Sequence, residues 1–317
     1  MTASSRRTFV LSAAAAGATL GLDGNLAFIG DANAQQKGPA KPSLTDKGFF
    51  KFKVGDIEVT QIYDGAAAPA AIDPAFIPGT TAEQIKAALV KGGLPGDTRP
   101  NWFTVTVIKS KGKYIMFDSS TGGQVGGADT CRMMAKNMYS AGIEPSKISA
   151  IVVTHFHPDH ISGMISKETN SQVFPDAEIF VPAAEYAHWT APDLIGKLPE
   201  GNRPAAQRIQ NTFPKWKNIK QIEADKEILP GVRSVATYGH TPGHTSYLVS
   251  SGKSQMMVLG DVTNIPAINV ANPDWSIAFD GDKAMAAATR RKVCDRASAD
   301  KIVMSGYHWG MPGAATV

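Results

Sequence analysis

Ile148-Ser149-Ala150-Ile151-Val152-Val153-Thr154-His155-Phe156-His157-Pro158-Asp159-His160 is an apolar run that ends in three histidines and a carboxylate. The part from Ile148 to Val153 reads as a strand buried on both faces, because it is almost continuously apolar and rich in β-branched residues. The polar residues behind it therefore emerge at the carboxyl end of a buried strand, in a loop that can turn four ligand atoms toward one point. Neutral imidazole nitrogens and carboxylate oxygens suit zinc. Four from one loop exceed what a single tetrahedral ion with an open water position takes, so H-x-H-x-D-H points to two metal ions.

Three further motifs offer the remaining ligands. Gly239-His240-Thr241-Pro242-Gly243-His244 follows an expected strand Val232 to Tyr238, Leu259-Gly260-Asp261 closes the strand Gln255 to Leu259, and His308 follows the last strand, Lys301 to Met304. Each alone is compatible with a plain turn, and beside the first motif they complete a two-metal set. The rest of the chain alternates hairpins with helices. Phe49 to Val54 and Ile57 to Tyr63 flank Gly55-Asp56, and Trp102 to Ile108 and Lys113 to Asp118 flank a Ser-Lys-Gly turn. Helices are expected at Asp129 to Ala141 and Asp282 to Ala297, and further strands at Glu178 to Val181 and Ser246 to Val249. Mixed hairpins and helices in both halves imply an α+β fold, with two sheets packed face to face and covered by helices. Ala183 to Lys217, rich in proline and carrying Trp189 and Trp216, reads as an insertion lying over something else.

With 317 residues, 43% hydrophobic and 19% charged, the chain is globular, and the net charge of +4 is spread without a run of like charges. Lys215-Trp216-Lys217 with Lys220 is read as a solvated helix face, so no nucleic-acid partner is expected. Cys131 and Cys294 cannot form a disulfide framework, although one bridge between them stays open. No G-x-S-x-G elbow or phosphate loop is present, and Gly122-Gly123-Gln124-Val125-Gly126-Gly127 is expected to be a flexible loop at the site mouth. Residues 1–34 read as a twin-arginine export signal, with Ser5-Arg6-Arg7-Thr8-Phe9-Val10-Leu11, a small apolar stretch and Ala32-Asn33-Ala34 in the required order. Residues 35–48 are expected to form a flexible lead and residues 49–317 one folded domain, and the mature protein is expected to be soluble in the periplasm.

The order H-x-H-x-D-H, T-P-G-H, G-D and a late histidine resembles the metallo-β-lactamase-fold hydrolases over essentially the whole mature chain. Gly55-Asp56-Ile57-Glu58-Val59-Thr60, Gly239 to Thr245, Asn272-Pro273, Asp280 and Arg290 are similar to the branch of methyl parathion hydrolase, lactonases and arylesterases. The resemblance implies an αββα sandwich of two mixed β-sheets flanked by helices, and two divalent metal ions, with zinc the expected metal. It implies His155, His157 and His244 on the first metal, Asp159, His160 and His308 on the second, and Asp261 bridging both. His240 is expected beside the ligands rather than among them, and Asp118 is expected to orient a ligand histidine.

Two such cations bring the pKa of a shared water toward 7, so the implied reaction is hydrolysis of a neutral ester-like small molecule, a lactone, aryl ester or phosphotriester. Asp159 is the expected catalytic residue, orienting the hydroxide or shuttling its proton. The apolar stretches around Tyr186, Trp189 and Leu194 and from Ile265 to Trp275 are expected to wall the pocket, Trp309 beside His308 could line it too, and lactones or aryl esters should be preferred over phosphotriesters. A mononuclear iron oxygenase for thiols or persulfides and a non-catalytic binding protein are the alternatives on this scaffold. The partner is a small-molecule substrate, with no membrane after signal cleavage, and a homodimer is left open.

The export signal is directly testable. Replacing Arg6 and Arg7 together by lysine should trap uncleaved protein inside the cell, and fractionation showing normal cleavage and periplasmic delivery would remove the assignment.

Overall fold

The computed structural model describes residues 27–28, 47–125 and 131–316. The expected signal, the lead, Gly126-Gly127 and the start of the helix expected from Asp129 otherwise lie outside the described residues. The strands are β1 (Ala27–Phe28), β2 (Phe49–Val54), β3 (Ile57–Ala71), β4 (Thr98–Ser110), β5 (Lys113–Phe117), β6 (Ile148–Val152), β7 (Glu178–Pro182), β8 (Ile219–Ile222), β9 (Glu227–Leu229), β10 (Val232–Ala236), β11 (Thr245–Ser251), β12 (Ser254–Val258), β13 (Val303–Ser305) and β14 (Ala314–Thr316). The α-helices are α1 (Ala82–Lys91), α2 (Met134–Ser140), α3 (Pro158–Ile161), α4 (Ala183–Thr190), α5 (Leu194–Lys197), α6 (Arg203–Thr212) and α7 (Lys283–Asp300).

The strands form two seven-stranded sheets, in the orders β2-β3-β4-β5-β6-β7-β8 and β1-β14-β13-β12-β11-β10-β9. In the first, β2 to β5 run antiparallel as successive hairpins and β5 to β8 run parallel. In the second, only β12 and β13 are parallel. Side chains alternate across each strand, which divides the apolar residues into layers. Ala150 and Val152 of β6 face the other sheet together with Phe117, Phe180, Tyr247 and Val258. Ile151 and Val153 face the opposite way, against a cluster that holds Met138 of α2 and Ala206 and Ile209 of α6. On the far side, Val293 and Ala297 of α7 pack with Leu248, Met257 and Met304. The result is the expected αββα sandwich of two mixed sheets flanked by helices.

The expected insertion from Ala183 to Lys217 is the helical cover of the first sheet, with Trp189, Leu194, Ile209 and Phe213 buried in that outer cluster. The helix expected from Asp129 is described only from Met134 to Ser140. Strand β3 runs to Ala71, eight residues beyond the expected Tyr63. Its extension, Asp64-Gly65-Ala66-Ala67-Ala68-Pro69-Ala70-Ala71, lacks β-branched residues, and the ladder with β4 slips at both Gly65 and Pro69. The first slip is a bulge that leaves Asp64 unpaired on the ladder and buried. Strands β8, β9 and β14 were not expected either. They are three or four residues long, and β8 is a sheet edge with a charged Lys220. Cys131 and Cys294 are both buried, and no disulfide bridge joins them.

The inter-sheet layer sets the stability. Phe117 is 1% exposed and its ring lies 5.7 Å from that of Tyr247 on the facing sheet. Phe117→Ala should cost about 3–5 kcal/mol, read as a lowered midpoint of urea unfolding at unchanged slope. A loss under about 1 kcal/mol would mean that this pair does not join the sheets.

Candidate metal centre

The loop after β6 is built by its neighbours as much as by its own sequence. His157 is the N-cap of α3 and Pro158 takes the first helical position, where its missing N–H costs no hydrogen bond. The one-turn helix then carries Asp159 and His160 back toward the strand end. Asp118, just beyond β5 with a left-handed φ of 59°, fixes this loop from below. Its Oδ1 accepts the Thr154 N–H at 2.7 Å, and its Oδ2 accepts the Thr154 hydroxyl and His160 Nδ1–H, both at 2.8 Å. Asp118 therefore orients a histidine as the resemblance implied.

Three imidazoles that face the centre are held through Nδ1 so that Nε2 points inward. His155 Nδ1 lies 3.0 Å from the Thr154 hydroxyl, His240 Nδ1–H donates to Asp280 Oδ1 at 2.9 Å, and His308 Nδ1–H donates to the Trp102 carbonyl at 2.7 Å. His157 turns the other way round, with Nδ1 inward, 3.0 Å from both His155 Nε2 and His240 Nε2. The carboxylate of Asp261 stands between the two sides. Its Oδ1 is 3.2 Å from His160 Nε2, and its Oδ2 is 3.4 Å from His240 Nε2 and 3.3 Å from His308 Nε2. Asp159 Oδ2 is 3.4 Å from His308 Nε2 and 3.7 Å from His160 Nε2. Three sets of ligand atoms thus converge within 4.8 Å: His155, His157 and His240; His155, His160 and Asp261; Asp159, His160 and His308.

The donor atoms fit cations. His160 Nε2 and Asp261 Oδ1 are buried, face each other at 3.2 Å and make no other hydrogen bond, so a cation could engage both. Burial and neighbouring histidines push His155 well below the usual imidazole range. His157 is pushed down to about 3 by burial and then by His240, so both offer neutral lone pairs. On the other side burial is overcome. Asp261, Asp159 and Asp118 hold His160 well above its ordinary value, and Asp261 and Asp159 raise His308 to about 9. Asp159 and Asp261 are themselves held low against burial by these two histidines.

Two of the histidines are placed differently from the expectation. His244 was expected in the first set and His240 outside it, but His240 joins His155 and His157, and His244 lies in none of the three sets. The reason is visible in the hydrogen bonds. His244 Nδ1 meets the Thr237 carbonyl at 3.1 Å, and its Nε2 accepts the backbone N–H of Asp261 at 2.9 Å, so no lone pair is left. Burial, with His240 next, pushes His244 down to about 3, which keeps that acceptor neutral. Gly260, at φ +56°, makes room for the contact, since a Cβ there would lie 2.7 Å from His244 Nε2. The other expected residues, His155, His157, Asp159, His160, Asp261 and His308, are all brought together.

Sequence reading missed several supporting residues. Asp64, turned inward by the bulge, accepts the hydroxyls of Ser120 and Thr121 and the N–H of Met134. Tyr307 stacks on His160 with ring centroids 3.9 Å apart and donates its hydroxyl to the Asp159 carbonyl at 2.6 Å. Its place beside His308 was the only available signal. Arg290 is 1% exposed and reaches Asp280 Oδ2 at 3.0 Å, extending the His240–Asp280 contact into α7. Although burial favours its neutral form, the bond from His240 and the Arg290 cation hold Asp280 below the usual carboxylate range.

Several residues expected to wall the pocket are buried. Leu194, Ile265 and Ile268 are core residues, Trp189 is buried, and Trp309 is buried with its Nε1–H on Thr263. The glycine loop is pinned at Gln124, whose Nε2 donates to the carbonyls of Ser162 and Ile165. Beside it lies a cavity of about 220 Å³ lined by Val125, Pro158, Ile161, Pro204, Arg208 and their neighbours.

The chain is similar to several known proteins. An N-acyl homoserine lactonase from Bacillus sp is 29% identical over 151 residues, covering 48% of this chain and 52% of that protein. The corresponding protein AttM of Agrobacterium fabrum is 27% identical over 121 residues, 37% of this chain and 42% of its own length. The chain thus spans about half the length of the curated relatives it matches. Among solved structures, the dizinc quorum-quenching lactonase AidC, in complex with a product, is similar with a TM-score of 0.78 and 26% identity, over 85% of this chain and 93% of that one. Hydrolase AbOPH shares the fold with a TM-score of 0.75 at 22% identity, over 85% and 92%. Residues 104–306 match the family described as Metallo-beta-lactamase superfamily, and the chain belongs to it.

Proposed function

We propose that this chain is a dinuclear metal-dependent hydrolase of neutral ester-like small molecules, with lactones as the preferred class. The observation that carries the reading is the convergence of His155, His157 and His240 on one side and Asp159, His160 and His308 on the other, with Asp261 reaching both. Imidazole and carboxylate donors of this kind suit zinc. When bound, two divalent cations supply a hydroxide at neutral pH and polarise the carbonyl to be attacked.

The chain's own residues orient and exclude. Asp118, Asp280 and the Trp102 carbonyl lock three imidazole rings, so the donor atoms need no reorganisation. Asp159 has a side chain 20% exposed, against 5% for Asp261, and is therefore the carboxylate able to pass a proton between the centre and solvent. The AidC and Bacillus likenesses support lactones within the ester class, since those proteins are described as lactonases. Export by the twin-arginine route would deliver the enzyme to the periplasm.

Two experiments test the reading. Metal analysis of purified variants should give two ions for the wild type and about one for His240→Ala with hydrolysis largely lost, while His244→Gln should keep both ions. The reverse ranking would restore His244 to the centre. Zinc-loaded protein should then hydrolyse N-hexanoyl homoserine lactone and an aryl ester with a higher kcat/KM than a methyl phosphotriester. A triester preference of tenfold or more, about 1.4 kcal/mol of transition-state stabilisation, would overturn the lactone assignment and leave the centre intact.

A further inference from the structure

Glu185, on α4, is wholly buried, lies outside every cluster of candidate ligands and yet touches both loops that carry the first cation set. Its Oε1 accepts the backbone N–H of Phe156 at 3.0 Å, the residue between His155 and His157. Its Oε2 accepts the N–H of Gly243 at 2.9 Å and the hydroxyl of Thr241 at 2.7 Å, in the loop that follows His240. A fourth donor is Trp189 Nε1–H, 2.7 Å from Oε1 and one turn further along the same helix face. The ring of Trp189 in turn stands edge-on to His157, at 83° and 6.1 Å between centroids.

The backbone is fitted to this contact. A Cβ on Gly243 would lie 2.0 Å from the Glu185 nitrogen, so the start of α4 sits directly on the His240 loop. Nothing else described bonds both Phe156 and the 241–243 segment. Among the described residues no lysine, arginine or histidine forms an ion pair with Glu185, and its four donors are all neutral.

We propose that Glu185 is a positioning residue which sets the spacing between His157 and His240 and thereby the affinity of the first cation subsite. The proposal rests on the dinuclear reading above. Glutamine in its place keeps the shape but turns an N–H₂ group toward two donors, and so breaks the tie to one of the two loops. The loss should appear in metal binding, because partners one layer outside metal ligands typically carry about 10–100-fold of affinity.

The test is a titration of metal-free protein with cobalt(II), followed through its visible bands, and with zinc against a chromophoric chelator. Wild-type protein should take up two ions; uptake of fewer would sink the dinuclear reading and this proposal with it. Given two, Glu185→Gln should weaken one ion by about 10–100-fold, shift the cobalt bands, leave the other ion's affinity unchanged, and lower kcat with little change in KM. Wild-type affinities and bands in a Glu185→Gln protein that merely unfolds at lower temperature would show a carboxylate that holds only the fold, and would overturn the proposal. Should that variant fail to fold, Trp189→Phe decides: it removes one donor and keeps a ring against His157, so smaller band shifts in the same sense support the role and unchanged bands overturn it.

Discussion

Everything around the centre depends on one constraint: a buried imidazole has two nitrogens, and each must find a partner. The protein satisfies one nitrogen of His155, His160, His240 and His308 and leaves the other aimed at a common point. His160 Nε2 and Asp261 Oδ1 meet only each other, at 3.2 Å, and make no other hydrogen bond. His244 shows the same rule with the opposite outcome, since both its nitrogens are met by protein and it serves as a wedge under Asp261.

The two sides of the centre solve their electrostatics differently. His155 and His157 sit among other histidines, where burial and like charge keep them neutral and ready as donors. His160 and His308 sit among Asp118, Asp159 and Asp261, so in the absence of a cation their protons balance the carboxylates. A cation entering that side must displace those protons, which couples its binding to pH more strongly than on the neutral side. Backbone strain follows the same geography. Asp118 and Ser120 adopt left-handed φ of 59° and 62°, at of order 1–3 kcal/mol each, and their side chains hold His160 and Asp64 respectively.

The sandwich, its two sheets and six of the seven converging side chains were legible in the sequence, because a buried strand that ends in H-x-H-x-D-H leaves little freedom in where its ligands point. The choice between His240 and His244 was not. In Gly239-His240-Thr241-Pro242-Gly243-His244 both histidines follow a strand, and the sequence holds no trace of the hydrogen bond from the Asp261 N–H to His244 Nε2. Glu185 was equally silent, since a glutamate in a short helix ordinarily faces water, and its burial arises from two loops far away in the chain. The extension of β3 escaped for a third reason: tertiary pairing with β4 overrides an alanine-rich stretch of low strand propensity.

These buried carboxylates share a design. Asp64 ties β3 to the glycine loop and α2, Asp118 ties β5 to the metal loop, Asp280 ties His240 to α7, and Glu185 ties α4 to both ligand loops. Each joins segments well separated in sequence, and of the four Glu185 is the one that ties a loop of the first sheet to a loop of the second. His155, His157 and His160 come from the first sheet's loop, whereas His240, Asp261 and His308 come from loops of the second. A half-folded chain therefore presents neither complete subsite, and cation binding is linked to the folding of both halves at once. The export route proposed here carries folded cargo, so a centre assembled at the end of folding can be loaded before such transport.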